Sequence, residues 1–457
     1  MIFKPQQQIL AINLLINQQH PIFSHITFSR ENMVTFLVFL VLDFLDTVLC
    51  LVYRFIDEFL EGKVSTCYCQ KQRSYNDDDG GDGDGDGDGE LSETLFGRKN
   101  IFREMGFLGF SKKLCENNDS KKIECSKQRW SDCGCESCLS WMSSNGVLHV
   151  SITQSSQQAN EENDEKSVEE NVIFLHGFLS SSSLWTETVF QNITNNSKQV
   201  TNCNVNYRLF GVDLLGFGRS PKPRDCFYTI KDHLEMIEKS IIIPYQLDSF
   251  HLVAHSMGCN IALALAAKHS KSVKSITLVA PPIFPSKFGA KRVLEELAKR
   301  ELWPPLLFGS AVMSWYEHIG RTVCLLVCRF HRTWEKLLKL LLKKKSLHFM
   351  ILDLARHTHH SAWHSMHNVL CGGNKLMEKY LRVLSEAKVK ICVIHGDKDH
   401  IAPVECTYNI KRMAPNAEIN IIRGANHNTI ILGREKDFTT NLQLTWASSS
   451  LHHDDDE

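Results

Sequence analysis

The chain has 457 residues, 43% of them hydrophobic, with 51 Lys and Arg against 52 Asp and Glu and a formal net charge of −1. That is enough for one large domain of roughly 250–300 residues plus extra segments, with apolar material to fill its core. The balance leaves no basic surplus for phosphate binding, which excludes nucleic acid as an expected partner.

The first thirty residues are polar and irregular around a broken apolar run, ILAINLLI. Met33 to Tyr53, MVTFLVFLVLDFLDTVLCLVY, then has the length of a membrane-spanning helix. Asp43 and Asp46 lie near its middle, and each costs roughly 2.5–3.5 kcal/mol at the centre of a bilayer. They need partners, a shallow position or protonation. The run is long and starts far from Met1, so a membrane anchor or membrane-associated hairpin fits better than a cleaved signal. Residues 1–62 are expected to form this anchoring segment, with an uncleaved targeting segment of another kind or a soluble amphipathic helix as the alternatives.

Residues 63–145 read as a cysteine-containing linker. Its Asp77–Glu90 run, DDDGGDGDGDGDGE, buries nothing apolar and is expected to be disordered, as is the acidic tail 448–457. The run lacks the Glu-terminated spacing of a calcium loop. The chain has 16 cysteines, with Cys67 and Cys69 followed by Cys133-x-Cys135-x-x-Cys138 in RWSDCGCESCLSW. Zinc generally takes two separated C-x-x-C-like pairs, so disulfides in an oxidising compartment are the expectation and no metal ligand is assigned. Sequons beginning at Asn118, Asn192 and Asn195 agree with a secretory route.

From about Gly146 the pattern changes. The near-continuous apolar runs 171–175, 207–213, 250–255, 274–280, 389–395 and 418–423 predict strands buried on both faces, as a parallel sheet requires. Helical stretches such as 229–245 and 258–269 lie between them, so residues 146–447 are expected to form a doubly wound, mostly parallel sheet. The alternation breaks over about 285–387, a helical insertion placed to stand above the C-terminal strand ends as a lid. Within it, Leu337, Leu338 and Leu340 to Leu342 among Lys336, Lys339 and Lys343 to Lys345 suit either a packed lid helix or a lipid-facing one. RHTHHSAWHSMH places His360, His364 and His367 on one helical face without an interleaved carboxylate, and packing explains them better than a metal. His348-x4-Asp353 matches an acyltransferase spacing that chance also produces.

The strand 250–255 ends in Ala254-His255-Ser256-Met257-Gly258 with an apolar helix directly after it. A serine on so tight a turn is held exposed at a helix N-terminus, and small residues two places to either side let the two backbones pass. An N-cap serine is the plain alternative. In this arrangement the loop after the strand 171–175 and the residue after the nucleophile each give a backbone N–H to an oxyanion, which maps to Phe178 and Met257. Base and acid should follow at later strand ends. HGDKDHIAP offers Asp397 and Asp399, of which Asp399 is favoured because it stands three residues after the turn glycine Gly396. GANHN offers His427, preferred to His400, which crowds the acid's own turn. The predicted triad is Ser256, His427 and Asp399, a mechanism that needs no metal or cofactor.

Together VIFLHGF, GVDLLGFGRSPKP, AHSMGCNIALA, GDKDHIAP and GANH resemble the α/β-hydrolase superfamily over about Gly146 to Trp446. The N-terminal apolar segment, RWSDCGCESCLSW and HTHHSAWHSMHNVLCGG further resemble the plant BODYGUARD group. That resemblance implies a lysophospholipase-like or acyl-transferring hydrolase acting on a lipid-like acyl ester. It also implies a role in cuticle and cutin formation and a cell-wall or extracellular setting. Epoxide hydrolases and dehalogenases of the same fold use a carboxylate nucleophile, and Ser256 stands against them.

Overall fold

The computed structural model describes residues 30–62, 91–95, 129–142, 146–154, 168–194, 205–285 and 315–450, with 100, 102 and 293. The acidic run, residues 451–457 of the tail, Cys67, Cys69, Asn118 and Asn195 lie outside the described residues, while 448–450, expected to be disordered, end the last helix, Glu435–Ser450.

Among the described residues two α-helices precede the sheet, α1 (Arg30–Glu61) and α2 (Glu136–Met142). Then come β1 (Val150–Gln154), β2 (Val168–Leu175), β3 (Val205–Val212), α3 (Ile230–Ile237), β4 (Phe250–His255), α4 (Met257–Lys268) and β5 (Val273–Val279). The insertion carries α5 (Glu317–Val327), α6 (His331–Leu342), α7 (Phe349–Asp353), α8 (His359–His364) and α9 (Met377–Glu386). The chain closes with β6 (Lys390–Gly396), α10 (Glu405–Met413), β7 (Glu418–Ile422) and α11 (Glu435–Ser450).

The seven strands lie in the order β1-β3-β2-β4-β5-β6-β7, all parallel except β1, which pairs antiparallel with β3. All six predicted runs are strands. The seventh, β1, was missed because an edge strand with polar residues on one face has no continuous apolar signature. One sheet face packs Ile173, Leu252 and Ile276 against α3, α4 and α9; the other packs Phe174 and Val253 against Trp185, Phe190 and Trp446. The helices on both faces follow from strands apolar on both sides.

The apolar N-terminal run is part of α1, and α1 packs on α5. Asp46 accepts the N–H groups of His318 and Ile319 (3.0 and 3.2 Å), capping α5 from outside. Burial disfavours a charged His318, yet its partner Asp46 holds the imidazole protonated up to about 10. Asp57 is bound by both terminal nitrogens of Arg321 (2.7 Å each) and by the Trp130 indole (2.6 Å). Among the described residues no helix is long and apolar enough to cross a membrane. The span expected over Met33–Tyr53 is not confirmed, and Asp46 within it has protein partners. Asn192, a predicted glycan acceptor, is half-buried and donates its amide to the Thr188 carbonyl.

A correction concerns the cysteines. None of the expected disulfides forms among the eleven described cysteines. Cys133, Cys135 and Cys138 gather with His331 instead of pairing.

Histidine burial sets an acid limit on the fold. His233 in α3 is fully buried with neither ring nitrogen hydrogen-bonded, and desolvation lowers its pKa to about 4. Burial likewise brings His255, His364 and His367 to about 3. Each is neutral in the fold and takes a proton on unfolding below its ordinary 6.5, so stability is intact above that pH and falls as pH drops toward 4. Burial raises Asp132 and Asp353 to about 6, which opposes the trend below that pH with only two groups. Thermal unfolding scanned from pH 7.5 to 4.5 should show Tm falling. His233→Leu should shallow the slope by about 1.4 kcal/mol per pH unit.

Candidate active site

β4 delivers Ser256 at its C-terminal end, with φ 52° and ψ −123°, a conformation that costs a non-glycine residue on the order of 1–3 kcal/mol. Its side chain makes no cap hydrogen bond to α4, so the N-cap alternative does not apply. The turn is possible because Gly258 lets α4 press on the end of β2; a Cβ there would lie 2.6 Å from the His176 carbonyl oxygen. Gly177 touches the same turn from the other side, where a Cβ would come within 3.0 Å of the Ser256 Cβ. The His176-Gly177-Phe178 loop thus runs beside the serine, and Met257, next along the chain, is fully buried.

Two later strand ends supply the other groups. Ser256 Oγ lies 2.9 Å from His427 Nε2, and His427 Nδ1 lies 2.7 Å from Asp399 Oδ2. The second Asp399 oxygen accepts the N–H groups of Ile401 (2.8 Å) and Ala402 (2.9 Å). Burial alone would raise the Asp399 pKa. His395 and His427 beside it, with the Ala402 N–H, hold it instead well below the ordinary carboxylate value. An ionised Asp399 fixes the His427 proton on Nδ1 and leaves Nε2 to accept from the serine. Asp397 binds the N–H of Gly424 (2.6 Å), a turn role, and His400 is exposed on the acid's turn.

Several supporting residues carried no assigned role in the sequence reading. His255 bonds the His427 carbonyl through Nε2 (3.0 Å) and its ring lies 4.8 Å from that of His427, bracing that residue. His395 donates from Nε2 to the Ala402 carbonyl (2.9 Å), 3.4 Å from Asp399. His176 accepts the Leu214 N–H (2.9 Å), and Asp213 accepts those of Ser182 (2.7 Å) and Arg219 (2.8 Å), which shapes the loop carrying Phe178. The only signal for His176, His255 and His395 was their place at strand ends, which buried core histidines share.

The insertion sits on this loop. Phe178 and Leu179 pack against Cys324, Val327, Cys328 and Ala362, while Ser181 donates to Asp353 (2.7 Å). Asp353 of the His348-x4-Asp353 pair therefore has a docking role, and His348 instead caps α7, accepting the Met350 N–H. His360 bonds the Cys226 carbonyl (2.9 Å) and His367 the Thr94 hydroxyl (2.8 Å), so the histidine stripe packs rather than converging on one point. Ser256 is only 8% exposed, which keeps its contact with His427 in a medium of low polarity.

Comparison with known proteins agrees with the topology. A family profile described as alpha/beta hydrolase fold matches residues 170–309. "Probable lysophospholipase BODYGUARD 4" of Arabidopsis thaliana is 51% identical over 421 residues, 91% of this chain and 96% of its own. "Probable lysophospholipase BODYGUARD 1" of the same plant is 38% identical over 92% of this chain and 97% of its own. Among solved structures, one from work on carboxylesterases of the Thaumarchaeon Nitrososphaera gargenis aligns with TM-score 0.44 and 14% identity, over 68% of this chain and 98% of its own.

Proposed function

This chain belongs to the BODYGUARD group of α/β hydrolases, and from that membership we propose that it is a serine hydrolase or acyltransferase of lipid-like acyl esters. The observation that carries the proposal is the unbroken chain of contacts from Ser256 Oγ through His427 to Asp399. In the proposed reaction His427 Nε2 takes the serine proton as Oγ attacks the ester carbonyl. The backbone N–H groups of Phe178 and Met257 receive the oxyanion, and each such donor is worth roughly 10²–10³ in rate. The alcohol leaves with the proton from His427. Water or a second alcohol then attacks the acyl-serine by the same route in reverse, giving hydrolysis or transfer.

Lysophosphatidylcholine and a hydroxylated fatty-acyl ester, supplied in turn to the purified chain, test the substrate class. Release of fatty acid, or its transfer to an added alcohol, is expected along with labelling by a fluorophosphonate. Well-folded protein that neither labels nor turns over would favour a binding or scaffolding role.

The reading extends to a lid formed by the insertion and to action at a lipid or cell-wall surface in cuticle formation. Supporting the surface contact, Leu340 and Leu341 at the end of α6 are 75% and 67% exposed beside Lys343 to Lys345. An apolar edge next to basic side chains suits an anionic lipid interface. Leu340→Glu/Leu341→Glu should weaken binding to phosphatidylserine-containing vesicles by roughly 10- to 100-fold in a flotation assay, from the leucine surface no longer buried. Unchanged partitioning would refute the contact.

A further inference from the structure

Two groups of soft ligands lie outside the catalytic chain. In the first, the turn into α2 turns Cys133, Cys135 and Cys138 toward one point, and the start of α6 brings His331 to it. His331 Nε2 stands 3.5 Å from both Cys135 Sγ and Cys138 Sγ, and all four ligand atoms lie within 4.8 Å of one another. A tetrahedral zinc ion with Zn–S about 2.3 Å and Zn–N about 2.0 Å spaces its ligand atoms by about 3.5–3.8 Å. A disulfide brings two sulfurs to about 2.0 Å and would leave a third thiol over. The spacing fits a shared cation.

In the second group, Cys324 and Cys328 stand one turn apart on the same side of α5 and its C-terminal end. His357 Nε2 lies 3.4 Å from each sulfur. His359 is buried beside Cys324, outside the group whose ligand atoms lie within 4.8 Å of one another.

We propose that the chain holds two structural zinc ions, one on Cys133, Cys135, Cys138 and His331, the other on the buried trio Cys324, Cys328 and His357. Four protein ligands close the first site, which is the structural rather than the catalytic pattern, and the second offers three. The first ion ties the segment before the sheet to α6. The second ties α5 to the start of α8, directly behind Phe178 and Leu179. The ions would thus hold the insertion on the loop that carries a proposed oxyanion donor. Zinc would bind all three sulfurs as thiolates, with release of their protons.

The test is metal analysis of the full chain, produced with zinc present and dialysed without chelator. About two zinc ions per chain are expected, with Cys138→Ser and Cys324→Ser each losing about one. Because either variant could fail to fold, wild-type protein stripped with phenanthroline provides a second measurement. Its Tm should fall and recover on adding Zn²⁺, and Co²⁺ added instead should give the absorption of a tetrahedral thiolate complex. Zinc well below one ion per chain in folded protein, or a disulfide among Cys133, Cys135 and Cys138 by non-reducing mass spectrometry, overturns the proposal. A single ion that survives Cys324→Ser overturns the second site.

Discussion

Ser256→Ala should lower ester turnover by roughly 10⁴–10⁶ while Tm stays within about 2 °C of wild type. The hydroxyl's hydrogen bond to His427 is a net term of only about 1 kcal/mol, and the alanine keeps the same backbone strain. His427→Ala should lose a similar factor, because the serine then has no base. Asp399→Asn should lose about 10⁴ through the wrong histidine tautomer. Ser256→Gly separates chemistry from stability. It should be equally inactive yet unfold up to about 1 kcal/mol later, since glycine carries the positive φ without strain. Initial rates on a lysophospholipid together with calorimetric scans check all four variants. Wild-type turnover in Ser256→Ala or His427→Ala would remove the proposed mechanism.

The largest stability effect is expected at Asp57. Asp57 and Arg321 are 1% and 5% exposed, and the pair is held by two 2.7 Å bonds. The guanidinium also lies over the Tyr53 ring at 4.4 Å. Asp57→Ala leaves a buried guanidinium without its counter-charge, at a cost of about 3–5 kcal/mol. Adding Arg321→Met should recover much of that, because the charge goes with its partner and the stem's packing remains. Urea midpoints of the two variants measure the difference. A double variant less stable than Asp57→Ala alone would mean that the guanidinium stacking outweighs the ion pair. Since Asp57 also holds the Trp130 indole, the same substitution should expose the segment around Trp130 and α5 to limited proteolysis.

Much of this molecule was legible without coordinates, and the reasons are local. Strands buried on two faces must be apolar without interruption, so the inner strands could be read directly; the partly exposed edge strand β7 was read with them, and only the half-polar edge strand β1 escaped. The serine turn, the two candidate carboxylates and GANH announced themselves by residue type at strand ends. A parallel sheet gathers its strand ends on one side, so Ser256, Asp399 and His427 could be expected to meet although 171 residues separate the first from the last.

What sequence could not fix depends on partners supplied from far along the chain. An apolar helix has the same composition whether lipid or protein covers it. The placing of α1 against α5 gives Asp46 and Asp57 their partners in α5, some 270 residues on. The cysteines follow the same rule. Three thiols in six residues suggested cross-links, but their fourth neighbour, His331, arrives from 193 residues beyond Cys138, and local spacing holds no trace of it. Side-chain type and strand order therefore determined the sheet and the chemistry proposed on it, because both are encoded in short contiguous stretches. The tertiary structure decided what the aspartates, cysteines and histidines outside that sheet are for, because a polar group's role is set by whichever group folding brings within bonding distance.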